Sequence, residues 1–307
     1  MKVEFAALGE CMVELWANQP LQTASVLRRA FGGDTLNTTA AAASMGVRTA
    51  YVTALGDDPF GAHVRNGLAR LGIDGSQVLV KPDRNTGLYL VDVDAEGERR
   101  FHYYRAGSAA SAFAPGDLDF EWLRRLRMLH VSGISQAISP SMREAVRVAA
   151  EAVVSAGGSL TYDTNFRPRL WASAAAAREA LDELPPPTLL APSEADLELL
   201  CPGESIDHLA GRFRERGCRV VLVKAGARGS YLASDEYTGW VAAPPVRRVR
   251  DTTAAGDAAV GVMAAGMLHG LPLREAALLA NRAAAFAVRR RGSVASLPRA
   301  SEIGFPT

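Results

Sequence analysis

Near the end of the chain, Val249-Arg250-Asp251-Thr252-Thr253-Ala254-Ala255-Gly256-Asp257-Ala258-Ala259 sets hydroxyls and very small side chains directly before a long alanine-rich stretch. The amides that open a helix have no intrahelical acceptor, and the helix dipole adds partial positive charge at that end. Ala254, Ala255 and Gly256 are small enough to let a phosphate approach such amides, which makes them a candidate anion hole. Asp257 falls in the first turn, where an incoming hydroxyl would meet a base and a bound phosphate together. That is the chemistry of phosphoryl transfer. A helix start with an Asp that merely favours the dipole is the plainer account of the same residues.

Three further stretches could supply the other half of such a site. In Gly32-Gly33-Asp34-Thr35-Leu36-Asn37, Gly32 and Gly33 would let a substrate lie on backbone amides, while Asp34 or Asn37 accepts sugar hydroxyls. A flexible turn with Asp34 as N-cap is the competing account. Tyr103-Tyr104-Arg105-Ala106-Gly107-Ser108 sets an arginine between aromatic and small residues, as a shaped pocket would need. An arginine fork grips a carboxylate through two parallel hydrogen bonds, which a neutral sugar does not require. Tyr162-Asp163-Thr164-Asn165-Phe166-Arg167-Pro168-Arg169 follows a strand, and ligands of open α/β sheets bind at the carboxyl ends of strands. Asp163 and Asn165 also suit a simple turn, and Arg169 reads as a surface cation.

Taken together and in this order, these stretches resemble the ribokinase-like (PfkB) carbohydrate kinases over almost the whole chain. Asp251-Thr252-Thr253-Ala254-Ala255-Gly256-Asp257 is similar to that family's C-terminal signature, with Ala254 where Gly is commoner. An alanine at positive φ would cost on the order of 1 kcal/mol, so a helical or bridge conformation is expected at Ala254. Gly9-Glu10-Cys11-Met12-Val13-Glu14-Leu15, the Gly-Gly-Asp-Thr-Leu-Asn form and Tyr-x-Arg-x-x-Ser-Ala resemble the 2-keto-3-deoxygluconate kinases in particular. The resemblance implies ATP-dependent phosphorylation of the terminal hydroxyl of that sugar acid, with Asp257 as base. It implies that Tyr89, Tyr103, Arg105 and Arg167 hold the substrate, and that Asn165, Ser193, Lys224, Gly226, Gly229 and Asn281 serve ATP. Magnesium is implied as cofactor, with Asp196 and Asp251 as candidate ligands and K+ as a candidate monovalent ion. Where many relatives carry Asn-x-x-Glu, this chain has Ser193 and Asp196. A family kinase of a neutral sugar such as ribose or fructose, and a non-catalytic nucleotide- or sugar-binding regulator, are the alternatives.

The elements that must position these residues alternate along the chain. Strands are expected at Val3–Leu8, Met12–Trp16, Thr49–Leu55, Met128–Val131, Leu160–Tyr162, Thr188–Leu190 and Val220–Val223. Helices are expected at Thr35–Met45, Pro59–Leu71, Pro140–Ala156, Ala174–Leu184, Glu194–Leu200, Ile206–Arg216, Ala255–Leu268 and Leu273–Arg290, with Gly46 and Gly72 as stops. This rhythm predicts one α/β domain over 1–307, a doubly wound and mostly parallel sheet flanked by helices. Gly87–Asp94 and Arg99–Tyr104 alternate instead, joined by Ala95-Glu96-Gly97-Glu98, a hairpin signal. They and the early extended pieces predict a small β-sheet lid from roughly 10–34 and 84–112, and a lid with open edges invites self-association.

Composition sets the outer limits. With 307 residues, 48% hydrophobic and 22% charged, the chain suits an ordinary globular enzyme with a substantial core. A net charge of +1 suggests neither a nucleic-acid partner nor a membrane surface. Cys11, Cys201 and Cys218 are dispersed without metal-ligand spacing and read as buried small hydrophobes. The apolar run near Met1 is too brief for a signal peptide, and no run reaches membrane-span length, so a cytoplasmic protein is expected.

Overall fold

The computed structural model describes residues 2–17, 19–93 and 99–306. Among these, thirteen strands follow in chain order: β1 (Phe5–Leu8), β2 (Met12–Trp16), β3 (Arg28–Gly32), β4 (Thr49–Gly56), β5 (Val78–Lys81), β6 (Leu88–Val93), β7 (Arg99–Tyr104), β8 (Met128–Ser132), β9 (Ser159–Asp163), β10 (Leu189–Leu190), β11 (Val220–Lys224), β12 (Ser230–Ala233) and β13 (Thr238–Val241). Nine of them form one sheet in the order β13-β12-β11-β10-β9-β8-β1-β4-β5. Neighbours from β5 to β11 run parallel, and β12 and β13 close that edge antiparallel.

The central strands are apolar without alternation because helices cover both faces. In β1, Ala6 and Leu8 join a core with Leu129, Met142, Val146 and Leu160. Phe5 and Ala7 point the other way, into a core with Leu36, Tyr51, Val262 and Leu279. Strand period two thus feeds two cores from one short segment. His130 lies in this interior, stacked on Phe5 at 6.2 Å with Nδ1 2.9 Å from Thr161 Oγ1, and burial pushes its pKa down to about 3. The three cysteines are buried, as expected. No helix among the described residues is long and apolar enough to cross a membrane.

The helix Ala255–Leu268 is built almost wholly from Ala, Gly, Val and Met, and its smallness lets it lie against the helix Asp34–Ser44. A side-chain carbon on Gly261 would stand 2.4 Å from the Thr38 carbonyl, so only glycine permits this approach. One turn earlier on the same pair of helices, Asn37 and Asp257 come into contact.

The remaining four strands form a second sheet, in the order β3-β2-β6-β7. β6 and β7 pair antiparallel from Leu88↔Tyr104 to Val93↔Arg99; the expected turn at 94–98 lies outside the described residues. β2 pairs β6 in parallel, so this sheet is mixed and is assembled from two separate parts of the chain. One face carries Val13 and Phe31 towards the helix Pro59–Arg70, where Phe31 fills the space above Gly67. The other carries Tyr89, Phe101 and Tyr103 over the ends of the main sheet.

Strands β3, β5, β12 and β13 were not expected, and the last long helix stops at Ala287 rather than Arg290. β3, β5 and β13 are short edge strands whose half-exposed residues give no clear apolar period, and β12, beside an edge, is mostly buried but has only four residues in which to show one.

Candidate active site

A cleft of about 1290 Å³ opens between the carboxyl ends of the main-sheet strands and the small sheet. It exceeds the usual range of small-ligand pockets, roughly 300–1,000 Å³, and offers room for two ligands at once. Gly33, Asp34, Asn37, Tyr89, Tyr103, Arg105, Asn165, Arg167, Ser193, Asp196, Lys224, Gly226, Ala254, Gly256 and Asp257 all line it. Stretches separated by more than two hundred residues therefore converge.

On the floor, Asn37 Nδ2 donates to Asp257 Oδ2 at 2.8 Å and Thr38 Oγ1 donates to the Asp257 carbonyl at 3.4 Å. Enclosure of the Asp257 carboxyl pushes its pKa up to about 7, helped by the charges of Asp34 and Asp163 and opposed by Asn37 and Lys224. A carboxyl poised there is well matched to taking a proton near neutral pH.

Ala254 corrects one expectation. Its φ of 61° and ψ of 4° are left-handed, not helical or bridge. The turn Thr252–Ala255, closed by the Ala255 amide donating to the Thr252 carbonyl at 3.3 Å, needs that conformation to launch the helix. The same bond removes Ala255 from the expected anion hole, and Ala255 does not line the cleft. Among the described residues no acceptor meets the amides of Gly256 or Asp257, so the open pair lies one residue further on. Lys224 completes this corner: a side-chain carbon on Gly256 would stand 3.5 Å from Lys224 Nζ.

Lys224 Nζ also donates to Asp163 Oδ2 at 2.5 Å, joining a part-buried lysine at the end of β11 to a buried carboxyl at the end of β9. Burial pushes the Asp163 carboxyl up while the Lys224 ammonium pulls it down. Asn165 is held at φ 33°, its amide donating to Asp163 Oδ1 at 3.1 Å and its side-chain Nδ2 to Asp34 Oδ2 at 3.1 Å. Asn165 therefore stands between floor and acceptor side. Gly33, not Asp34, is the N-cap of its helix; a carbon on Gly33 would meet the Glu10 carbonyl at 2.3 Å.

On the lid side, Tyr89 is buried and donates to Glu14 Oε2 at 2.6 Å, and burial raises its pKa. Tyr103 is 53% exposed over the cleft, with the Arg105 guanidinium carbon 5.3 Å from its ring centroid. Arg105 Nη2 donates to the buried carboxylate of Glu10. Arg167 and Arg169 are exposed on the cleft rim, Arg167 donating to its neighbour's carbonyl at 3.1 Å.

The other expected nucleotide and metal residues already have partners within the protein. Ser193 and Asp196 form a reciprocal helix cap, and Asp196 also accepts from Thr164 Oγ1 at 2.7 Å and from the Phe166 amide at 3.1 Å. Asp251 does not line the cleft; its carboxylate accepts from Thr253 and from the Gly292 amide, tying two loops together. Asn281 is buried with Nδ2 donating to the Val241 carbonyl at 2.8 Å, and Gly229 packs at φ 96° against the same carbonyl. Neither lines the cleft. Among the described residues no group of three or more His, Cys, Asp or Glu could hold a metal. Magnesium needs none, since it keeps waters and binds through one or two carboxylates plus substrate phosphates.

Sequence reasoning passed over Glu10 and Asp163 as site members, although both line the cleft. Each stands within a quoted stretch, but its partner lies 95 or 61 positions away.

Comparison with known proteins fits this arrangement. Residues 3–300 match the model of the pfkB family carbohydrate kinases. The chain belongs to that family. It is 34% identical over 306 residues to a 2-dehydro-3-deoxygluconokinase of Thermoproteus tenax, covering 98% of this chain and 93% of the relative. It is 30% identical over 303 residues to the enzyme of that name from Bacillus subtilis (strain 168), covering 97% and 93%. A crystal structure of an E. coli protein described as a ribokinase II, in complex with ATP and Mg2+, superposes with a TM-score of 0.88 at 27% identity, covering 98% of each chain. The ribokinase-like architecture is thereby established for this family member.

Proposed function

We propose that this pfkB-family kinase moves the γ-phosphoryl group of ATP to the terminal hydroxyl of 2-keto-3-deoxy-D-gluconate, yielding the 6-phosphate and ADP. The observation that carries this reading is the pairing, in one cleft, of Asp257 beside open helix amides with Arg105 and Tyr103 on the opposite wall. The relatives of that name support the choice of acceptor.

The acceptor's hydroxyl oxygen attacks the γ-phosphorus as its proton passes to Asp257, and the bond to the β-phosphate oxygen breaks to release ADP. The Gly256 and Asp257 amides and the Lys224 ammonium take up negative charge on the transferred group. Asp163 holds Lys224 in place. Asp196 is the candidate carboxylate to hold magnesium, which would supply neutralisation of the phosphate charge when bound. Arg105, Tyr103 and Arg167 fix the acid end of the acceptor, so that the far hydroxyl faces the nucleotide. Movement of the small sheet as a lid would exclude water and limit ATP hydrolysis. The open edges β3 and β7 fit association with a second copy, which light scattering would test.

Coupled ADP release tests the acceptor. The expected result is turnover with 2-keto-3-deoxygluconate at a kcat/KM well above those for ribose and fructose, with assays in the presence and absence of K+ deciding the monovalent ion. Equal or better turnover of a neutral sugar contradicts the acid acceptor, and no ADP release with any of them contradicts the kinase.

A further inference from the structure

Arg105 does not hang freely in the cleft. Glu10, in the connection from β1 of the main sheet to β2 of the small one, holds its Nη2. Arg105 itself follows β7, where the chain leaves the small sheet again. One ion pair thus joins the outgoing and returning connections of the lid.

The surroundings of Glu10 leave its carboxylate little else to do. Its side chain is 1% exposed, while that of Arg105 is 15% exposed and borders the cleft. Ser108 Oγ donates to Glu10 Oε1 at 3.4 Å, and a carbon on Gly87 would stand 3.2 Å from the same oxygen. The guanidinium is therefore held at one nitrogen by Glu10 and lies beside the ring of Tyr103. Its Nε is buried and has no partner among the described residues. A guanidinium has five N–H groups in a fixed fork, so this one keeps donors to spare. A free arginine would have to give up rotamer freedom to grip a ligand; this one has already done so.

We propose that Glu10 is a positioning residue for acceptor recognition, holding Arg105 with its remaining donors presented to the substrate's carboxylate. This rests on the acid-acceptor reading above. A purely structural tie between the lid connections would, when cut, disturb ATP and acceptor alike. A positioning role affects the acceptor alone.

The experiment measures kcat and both KM values for wild type, Glu10→Ala and Glu10→Gln, with thermal melts to establish that each is folded. In Glu10→Ala, KM for 2-keto-3-deoxygluconate should rise by about tenfold or more, as expected for losing a partner of a charged hydrogen bond. KM for ATP and kcat should stay within about threefold. Glu10→Gln keeps an oxygen that can accept from Nη2, and should return the acceptor KM to within about threefold of wild type. A folded Glu10→Ala with wild-type acceptor KM, or with both KM values raised equally, overturns the role of Glu10 and leaves the kinase reading intact. Should Glu10→Ala fail to fold, Glu10→Gln decides: an acceptor KM raised as far as that of Arg105→Ala overturns the proposal. Wild type that does not prefer the acid over fructose overturns the acceptor reading and this proposal with it.

Discussion

The two walls of the cleft are made differently. The floor is backbone and short side chains at the ends of buried strands and the start of a buried helix, and its charged groups are cross-linked: Asn37 to Asp257, Lys224 to Asp163, Asn165 to Asp34. The lid wall is a four-stranded sheet with Tyr103 53% exposed over the cleft and the Glu10–Arg105 ion pair at its base. Phosphoryl transfer needs fixed donors and a fixed base, and on the proposed reading the floor offers both. Choosing an acceptor is a binding task, and the lid side offers rings and a cation. On this comparison, damage to the floor should appear in kcat and damage to the lid in the acceptor's KM.

The largest effect should come from the floor. Asp257→Asn removes the proton acceptor but retains the shape, and kcat should fall by at least about 10²–10⁴-fold with ATP binding retained by calorimetry. On the proposed base role the ionised form is the active one, so kcat of the wild type should rise with pH through an inflection near about 7. Considerable turnover by the variant, or a profile flat from pH 5 to 9, would contradict the base assignment.

The lid should give the next effect, and of the other kind. Arg105→Ala should raise KM for the acidic acceptor by about ten- to a hundredfold, the loss expected for a charged hydrogen-bonding group, with KM for ATP little changed. An equal loss with a neutral sugar would mean that the arginine does not read the carboxylate, and the two walls would no longer be separable.

The smallest effect concerns the turn at the helix start. A left-handed alanine costs about 1–2 kcal/mol, which Ala254→Gly relieves, less about 0.4–1 kcal/mol for the freer unfolded chain. The melting midpoint should therefore rise by about 1–2 °C, following the usual scaling for a chain of this size. A clear fall would contradict the left-handed conformation of Ala254.

Legibility in the sequence divides along the same line. The floor motifs announce themselves through short-range chemistry: Gly and Ala before a helix, Asp in its first turn, polar residues after a strand. The doubly wound rhythm followed from segments long enough to show their period, whereas edge strands such as β3, with its exposed arginines, did not. What sequence did not reveal was which motifs touch. Asn37 meets Asp257 across 220 positions because Gly261 lets two helices close on each other, and no local pattern encodes that pairing. Glu10 stood within a recognised stretch, yet its use became visible only when the fold brought Arg105 to it. Ala254 shows the converse: the local preference against positive φ was sound, and the turn into the buried helix overrode it.

The most direct test is a crystal structure of the ternary complex with a non-hydrolysable ATP analogue and 2-keto-3-deoxygluconate. The account predicts the γ-phosphate on the Gly256 and Asp257 amides, the acceptor's terminal hydroxyl within hydrogen-bonding distance of the Asp257 carboxylate, and its carboxylate on Arg105. An acceptor bound the other way round, or a triphosphate that ends away from Gly256, would contradict it.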